Sequence, residues 1–370
     1  MKKLRFISGM FFVALALTFT ACEKNPVTTG EDESVLPQTF KVDIPDAISR
    51  EASTKKSATV DTLKGKLVYL HLGNFINIGE EAADIVQEII ESLKQYHINQ
   101  AMSFSFEGDD GRTKDLVVVE NSEYDGHTWE FELTISDADG EHAEGIALQV
   151  FWNRDPVEGI ALLMPYNCDR NKFEHFGEAK FRIDYNSAGD RNYDAWMMVQ
   201  AADLPDVNPL VDPYAMKTLK MFVGKEGNYV DVYGNSDHPN ARFFTMKVGF
   251  NWAFVASGQA DEDIAAAEVG LPPSNLDEPS REVLLGYYSV HDVLMRQIKQ
   301  LWPGIDPPIL DAYLMNTEAP AFFDHHGFVA GGDMPGDEWT PLVNRVNVLS
   351  PYNPKEIHNL EIHFKIGTEQ

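Results

Sequence analysis

The amino-acid sequence predicts an α+β fold: mainly an antiparallel β meander packed with two or three amphipathic helices. From residue 101 to about residue 255, apolar and polar residues alternate in short runs separated by turn-forming dipeptides. Such runs mark strands with one face on a core and the other on water or a cavity. Two segments, residues 80–96 and 281–302, instead carry apolar residues at spacings of three and four, the period of an amphipathic helix. Strand and helix do not alternate regularly along the chain, so a doubly wound parallel sheet is not expected.

The first folded element is read as a strand from Lys66 to Leu72, where both faces carry bulk. A helix from Glu80 to Tyr96 follows. Ala82, Ile85, Val86, Ile89, Ile90 and Leu93 form its apolar face, and Glu81, Asp84, Glu88, Glu91 and Lys94 form the other. Asn77 and Gly79 mark its start, and the acidic first turn suits the positive end of the helix dipole. The meander then begins. Met102–Phe106 and Leu116–Glu120 flank Asp109-Asp110-Gly111, and Asp125-Gly126 leads into His127–Ile135. Gly145–Trp152 and Gly159–Met164 flank Asn153-Arg154-Asp155-Pro156; Ala179–Tyr185 and Tyr193–Gln200 surround Ser187-Ala188-Gly189-Asp190. Leu219–Val223 and Tyr229–Tyr233 flank Lys225-Glu226-Gly227-Asn228, and Phe250–Val255 is a further strand. Turns of this composition join antiparallel neighbours.

The composition changes near Gly258. A second amphipathic helix is expected over 281–302, closed by Trp302-Pro303-Gly304, then a short helix from Pro308 to Leu314 and a final strand from Glu356 to Ile366. Residues 63–257 thus read as a β-rich domain. Residues 258–370 read as a helical segment plus final strand, either separate or an insertion within the same domain.

Lys2, Lys3 and Arg5 precede an apolar run from Phe6 to Phe19, which ends in Thr20, Ala21 and Cys22. A charged start, an apolar stretch too short to span a bilayer comfortably and small residues at its end make an export signal over residues 1–21. Thr20-Ala21-Cys22 resembles the lipobox of bacterial lipoproteins, which implies lipidation at Cys22. Residues 22–62, rich in Pro, Ser, Thr, Lys and acids, are expected to form a flexible tether. Residues 1 to about 60 and the acidic, aromatic-rich style resemble uncharacterised cell-envelope lipoproteins of Bacteroidetes-type bacteria. That resemblance implies outer-membrane attachment through an N-terminal lipid and specifies no ligand. Without residues 1–21 the chain has 27 basic against 58 acidic residues, a charge of −31. This balance excludes nucleic acid as an expected partner.

No phosphate loop, dinucleotide turn, zinc-protease helix or nucleophile elbow is present. No cofactor is expected, and the balance leans away from an enzyme. Cys168, left without a partner if Cys22 carries lipid, is expected to be a buried or half-buried free thiol. Asp324, His325, His326 and Asp333 have the residue types of a transition-metal site, against the alternative of a polar loop. Asp137, Asp139, Glu141 and Glu144 have the oxygen-rich character of a Ca²⁺ turn, against solvated acids in a hairpin.

Trp129, Trp152, Trp196 and Trp252 sit inside alternating strands and are expected in the core. Trp339 is the expected exposed platform, in a long Gly- and Pro-rich loop from Phe322 to Leu342. With Phe322, Phe323 and Asp324 it is the candidate ligand-binding edge. The leading expectation is a non-enzymatic binding or structural lipoprotein whose partner is a glycan or another envelope component. A lipid- or lipoprotein-handling half-barrel is the first alternative; a glycan hydrolase with paired carboxylates is the second.

Overall fold

A computed structural model describes residues 34–49, 64–140, 145–205, 214–241, 249–360 and 362–366. The export signal, Cys22 and the Glu141 and Glu144 positions lie outside the described residues. The alternating runs form one antiparallel sheet of thirteen strands, each paired with its neighbour in sequence. These are β1 (Met102–Glu107), β2 (Thr113–Tyr124), β3 (His127–Asp137), β4 (Ile146–Arg154), β5 (Val157–Leu163), β6 (Lys180–Asn186) and β7 (Ala195–Ala202). β8 (Thr218–Glu226), β9 (Tyr229–His238), β10 (Phe250–Gln259), β11 (Ile264–Gly270), β12 (Ala321–Asp324) and β13 (Gly327–Gly331) complete it. The fold is α+β, dominated by a β meander.

Among the described residues six α-helices join it: α1 (Asp46–Ser49), α2 (Lys64–Leu93), α3 (Pro165–Cys168), α4 (Val290–Leu301), α5 (Pro307–Leu314) and α6 (Thr340–Val346). Among the described residues, no helix is long and apolar enough to cross a membrane. α2 spans the sheet. Near its start Tyr69 stacks on Phe328 of β13 at 5.7 Å, and near its end Ile89 and Leu93 meet Ile135 of β3 and Leu148 of β4. One sheet face and α2 share a single core that includes Leu116, Leu133, Ile183, Val199, Met221 and Phe254.

Several expectations are corrected. Lys66–Leu72 is helix, not strand. Val68, Tyr69, Leu72, Phe75 and Ile76 are all buried, and their spacing of three and four continues through Ala83, Val86 and Ile90, so one apolar stripe extends the helix back through Asn77 and Gly79. Gly79 is no start signal: it admits Met221, whose Cε would lie 2.5 Å from an added Cβ.

Glu356–Ile366 is not a strand either. It makes one 3₁₀ turn, Glu356–His358, then lies across the other sheet face, where Leu360, Ile362 and Phe364 cover Trp129, Phe151, Ile160 and Leu162. Its backbone finds a side chain instead of a ladder: Lys365 N donates to Gln149 Oε1 at 2.8 Å, and Gln149 Nε2 donates to Lys365 O at 3.0 Å.

The Phe322–Leu342 loop is mostly regular structure, comprising β12, β13, a 3₁₀ turn at Asp337–Trp339 and the start of α6. Asp324 Oδ1 accepts from His326 N at 2.7 Å and closes the hairpin turn.

Part of the expected tether is packed, and the rest of residues 22–62 lies outside the described residues. Residues 34–49 form a packed strap in which Val35, Leu36, Phe40, Val42, Ile44 and Ile48 are buried. An apolar residue at every second position, Phe40, Val42 and Ile44, is an amphipathic signal that the polar composition of the surrounding segment hides.

Residue 257, the expected boundary, lies inside β10, and the sheet continues through it to β13. The helix expected over 281–302 is interrupted: Glu282–Tyr287 is a π-helical turn, and Ser289 then caps α4 by accepting from Asp292 N at 3.2 Å.

Candidate functional site

The apolar stripe of α2 is wider than the sheet beneath its last turns can cover, and a cleft of about 90 Å³ opens there. Ile85, Ile89, Ser92 and Leu93 of α2 form one wall; Phe106 of β1, Ile135 of β3 and Ala147 and Leu148 of β4 form the other. Phe173, just beyond α3, closes one side, and Glu88, Asp109, Asp169 and Lys172 supply the charged lining.

Lys114 of β2 belongs to this lining. It points to the same sheet face as Leu116 and Val118, yet it is buried and fully engaged. Its Nζ donates to Asp110 Oδ2 at 3.0 Å, Asp137 Oδ2 at 3.1 Å and Asn167 O at 2.9 Å. An ammonium carries three donors, so none is free for a ligand. Asp137 also receives Arg112 through both oxygens, at 2.6 and 2.9 Å. Burial alone would raise the Asp137 carboxyl, but these hydrogen bonds outweigh it and pull it down to about 2. Asp137 is therefore the anchor of an ion-pair cluster instead of an open oxygen ligand for Ca²⁺.

Cys168 ends α3 in the same lining, and burial pushes its thiol up to about 12. At neutral pH it stays protonated and is no nucleophile. Burial and the nearby Asp169 also raise the Asp109 carboxyl, whereas Asp169 Oδ1 accepts from Asn171 N and Lys172 N, both at 2.9 Å. Behind this acid pair the walls are mainly hydrocarbon, interrupted by Ser92. Chemically the cleft can shelter the tip of an apolar chain or a small ring, at a volume that would otherwise hold a few waters.

The residues singled out in the sequence lie elsewhere. Trp339 is not exposed: it is 7% accessible, packs edge-on against Phe322 at 6.2 Å and donates through Nε1 to Phe323 O at 3.3 Å. Phe322 and Phe323 are adjacent on a strand and so face opposite ways. Phe322 joins Trp339, Leu342 and Val346, while Phe323 meets Tyr69 and Phe328. They make no common edge with Trp339. The rings of His325 and His326 lie with centroids 3.7 Å apart, tilted by 45°, beside the Asp324 turn. Among the described residues, no three His, Cys, Asp or Glu side chains, the set Asp324, His325, His326 and Asp333 included, are arranged to hold a metal ion.

The cleft residues went unnoticed in the sequence because an apolar residue lining a cleft looks the same as one filling a core. Lys114 was the available signal, a cation in register with Leu116 and Val118 on an apolar face. Trp302, one of the six tryptophans and the expected end of the 281–302 helix, is more open than Trp339. It is 47% accessible and lies nearly parallel to Tyr313, at 21° and 6.1 Å between centroids.

Comparison of the chain with known protein families, curated proteins and solved structures finds no match in any of the three.

Proposed function

We propose that the chain is a non-enzymatic binding module of the cell envelope, lipid-anchored through Cys22, whose ligand inserts a small apolar group between α2 and β1–β4. One observation supports this ligand class: the cleft is walled mainly by hydrocarbon, its buried Lys114 is spent on internal partners, and its thiol is held protonated. Apolar pockets with few convergent polar groups are the usual form of small-molecule sites. Carriage of a whole lipid by an open half-barrel is a weaker fit, since α2 and the strap already fill the face that would hold it.

The test is a titration of the intact protein with a series of short- and medium-chain carboxylic acids and alcohols, read by calorimetry. Saturable binding is expected, weakened at least about tenfold, or about 1.4 kcal/mol, by Ile89→Trp, which fills the cleft. Binding that ignores Ile89→Trp, or no binding by any member, removes the proposal.

A glycan surface is the second reading, favoured by the exposed ring of Trp302, which lies nearly parallel to that of the partly buried Tyr313. A glycan array with Trp302→Ala as control separates it from the first.

A further inference from the structure

The strap, residues 34–48, runs crosswise to the strands. Val35 lies by β4, where Trp152 Nε1 donates to Val35 O at 2.9 Å. Phe40 lies over Gly159 of β5, Val42 N approaches Met197 Sδ of β7 at 3.4 Å, and Pro45 lies over Gly258 of β10. A crosswise chain cannot join the ladder, so its polar backbone must be met by side chains. α2 provides them along one edge. Gln87 Oε1 accepts from Phe40 N at 2.7 Å, Glu80 Oε1 accepts from Ile44 N at 3.2 Å, and Gln87 Nε2 donates to Gln38 O at 3.4 Å. Asp263 Oδ1 adds a contact from Ala47 N at 2.9 Å.

Two features separate this arrangement from ordinary core packing. The frame, made of β4–β10 and α2, has a hydrogen-bond ladder and a helix in which the strap takes no part. The frame also reads main-chain atoms, so it demands only that alternate residues be apolar, as in Phe40, Val42 and Ile44. Room is built in beneath them: a Cβ on Gly159 would lie 3.0 Å from Phe40 Cζ, and one on Gly258 would lie 3.0 Å from Pro45 Cγ.

We propose that the channel between α2 and β4–β10 is a peptide-binding groove, which residues 34–48 fill as a built-in stand-in for an extended polypeptide with apolar residues at alternate positions. The occupant is polypeptide and not an acyl chain, because a hydrocarbon would leave Gln87 Oε1 and Trp152 Nε1 without their buried partners and Glu80 Oε1 without its main-chain donor, at roughly 1–3 kcal/mol for each unmet group. A foreign peptide competes with a tethered one whose effective concentration is on the order of millimolar, so capture requires that the strap open. This inference is independent of the cleft between α2 and β1–β4, and either can fail alone.

The probe is a fluorescein-labelled synthetic peptide of residues 34–48, followed by anisotropy on the whole protein. In a Phe40→Ala/Val42→Ala variant, which weakens the resident strap and leaves the frame intact, the peptide is expected to bind at least about tenfold more tightly than to the unaltered protein. Adding Gln87→Ala to that variant is expected to reverse most of the gain, and a scrambled peptide is expected not to bind. A folded double variant that fails to bind the peptide overturns the proposal. Hydrogen exchange on the unaltered protein tests the same point if that variant does not fold. The Phe40 and Ile44 amides are expected to exchange at least about a hundredfold faster than amides of β7–β10, through an opening of the strap alone; equal protection overturns it.

Discussion

Glu80 Oε1 accepts the main-chain N–H of Ile44 at 3.2 Å, joining α2 to the strap. Burial is the largest influence on this carboxyl and, with the neighbouring Asp84, raises it to about 7, against the pull of the Ile44 and Ser49 hydrogen bonds and of Lys41. Its value in the unfolded chain is 4.5. A carboxyl raised on folding adds stability in its protonated form, in full below the unfolded value, and loses it as pH rises toward 7. Over that interval the loss is on the order of 3 kcal/mol. Glu80→Gln is expected to match the parent near pH 4 and to exceed it at pH 8. Urea midpoints at the two pH values decide the matter, and a parallel pH dependence in both proteins contradicts the assignment.

His238 predicts the opposite slope. Its ring is fully buried, its Nδ1 lies 2.7 Å from Tyr214 O and its Nε2 lies 2.7 Å from Ser236 Oγ. A carbonyl can only accept, so Nδ1 carries the proton and Nε2 accepts from the serine, giving a neutral imidazole. Burial pushes the group down to about 3 from 6.5. Stability from the neutral form is complete above 6.5 and drains away as pH falls toward 3, by on the order of 4–5 kcal/mol in full. His238→Gln keeps a donor and an acceptor and is expected to flatten denaturation midpoints between pH 6.5 and 4; an unchanged slope refutes the role.

Trp339 and Trp302 should respond to alanine in different ways. Trp339 sits in the cluster of Phe322, Leu342 and Val346, so Trp339→Ala is expected to cost about 3–5 kcal/mol of stability. Trp302 is half-exposed, and its loss is expected to change stability by less than about 1 kcal/mol. Thermal melts of the two variants distinguish them; similar losses would show that Trp302 is packed more tightly than its exposure indicates.

Cys168 is expected to resist alkylation. With its thiol pushed up to about 12, the thiolate fraction at pH 8 is on the order of one in ten thousand. Iodoacetamide labelling, followed by mass spectrometry, should be at least about a hundredfold slower in the native protein than in urea. Comparable rates would place the thiol in water.

The meander was legible because its signals are local: Asp125-Gly126 and Gly227-Asn228 mark turns, and Phe131, Leu133 and Ile135 alternate. β11 was not, since Ala265, Ala266 and Ala267 carry little strand preference and are placed by the neighbours they fit. The strand expected at Lys66–Leu72 failed because seven bulky residues satisfy both periods, and only the later stripe through Ile76, Ala83 and Val86 favours the helix. Trp339 was misjudged from its glycine-rich surroundings, which in the structure lead into α6. Of the candidate site, the α2 face was visible as an apolar stripe. Its meeting with Phe106, Leu148 and Phe173 depends on long-range packing that no local pattern encodes.

Strap and α2 precede the sheet, yet the surface they bury is supplied by strands that run from Met102 to Gly331. During synthesis each hairpin can zip onto the one before it and cover the strap and the later turns of α2, while the Tyr69 end of α2 waits for β12 and β13. The last pair of strands therefore acts as a latch on assembly. A chain truncated before Ala321 would leave the aromatic end of α2 in water and be prone to aggregate, although eleven of its thirteen strands were already paired.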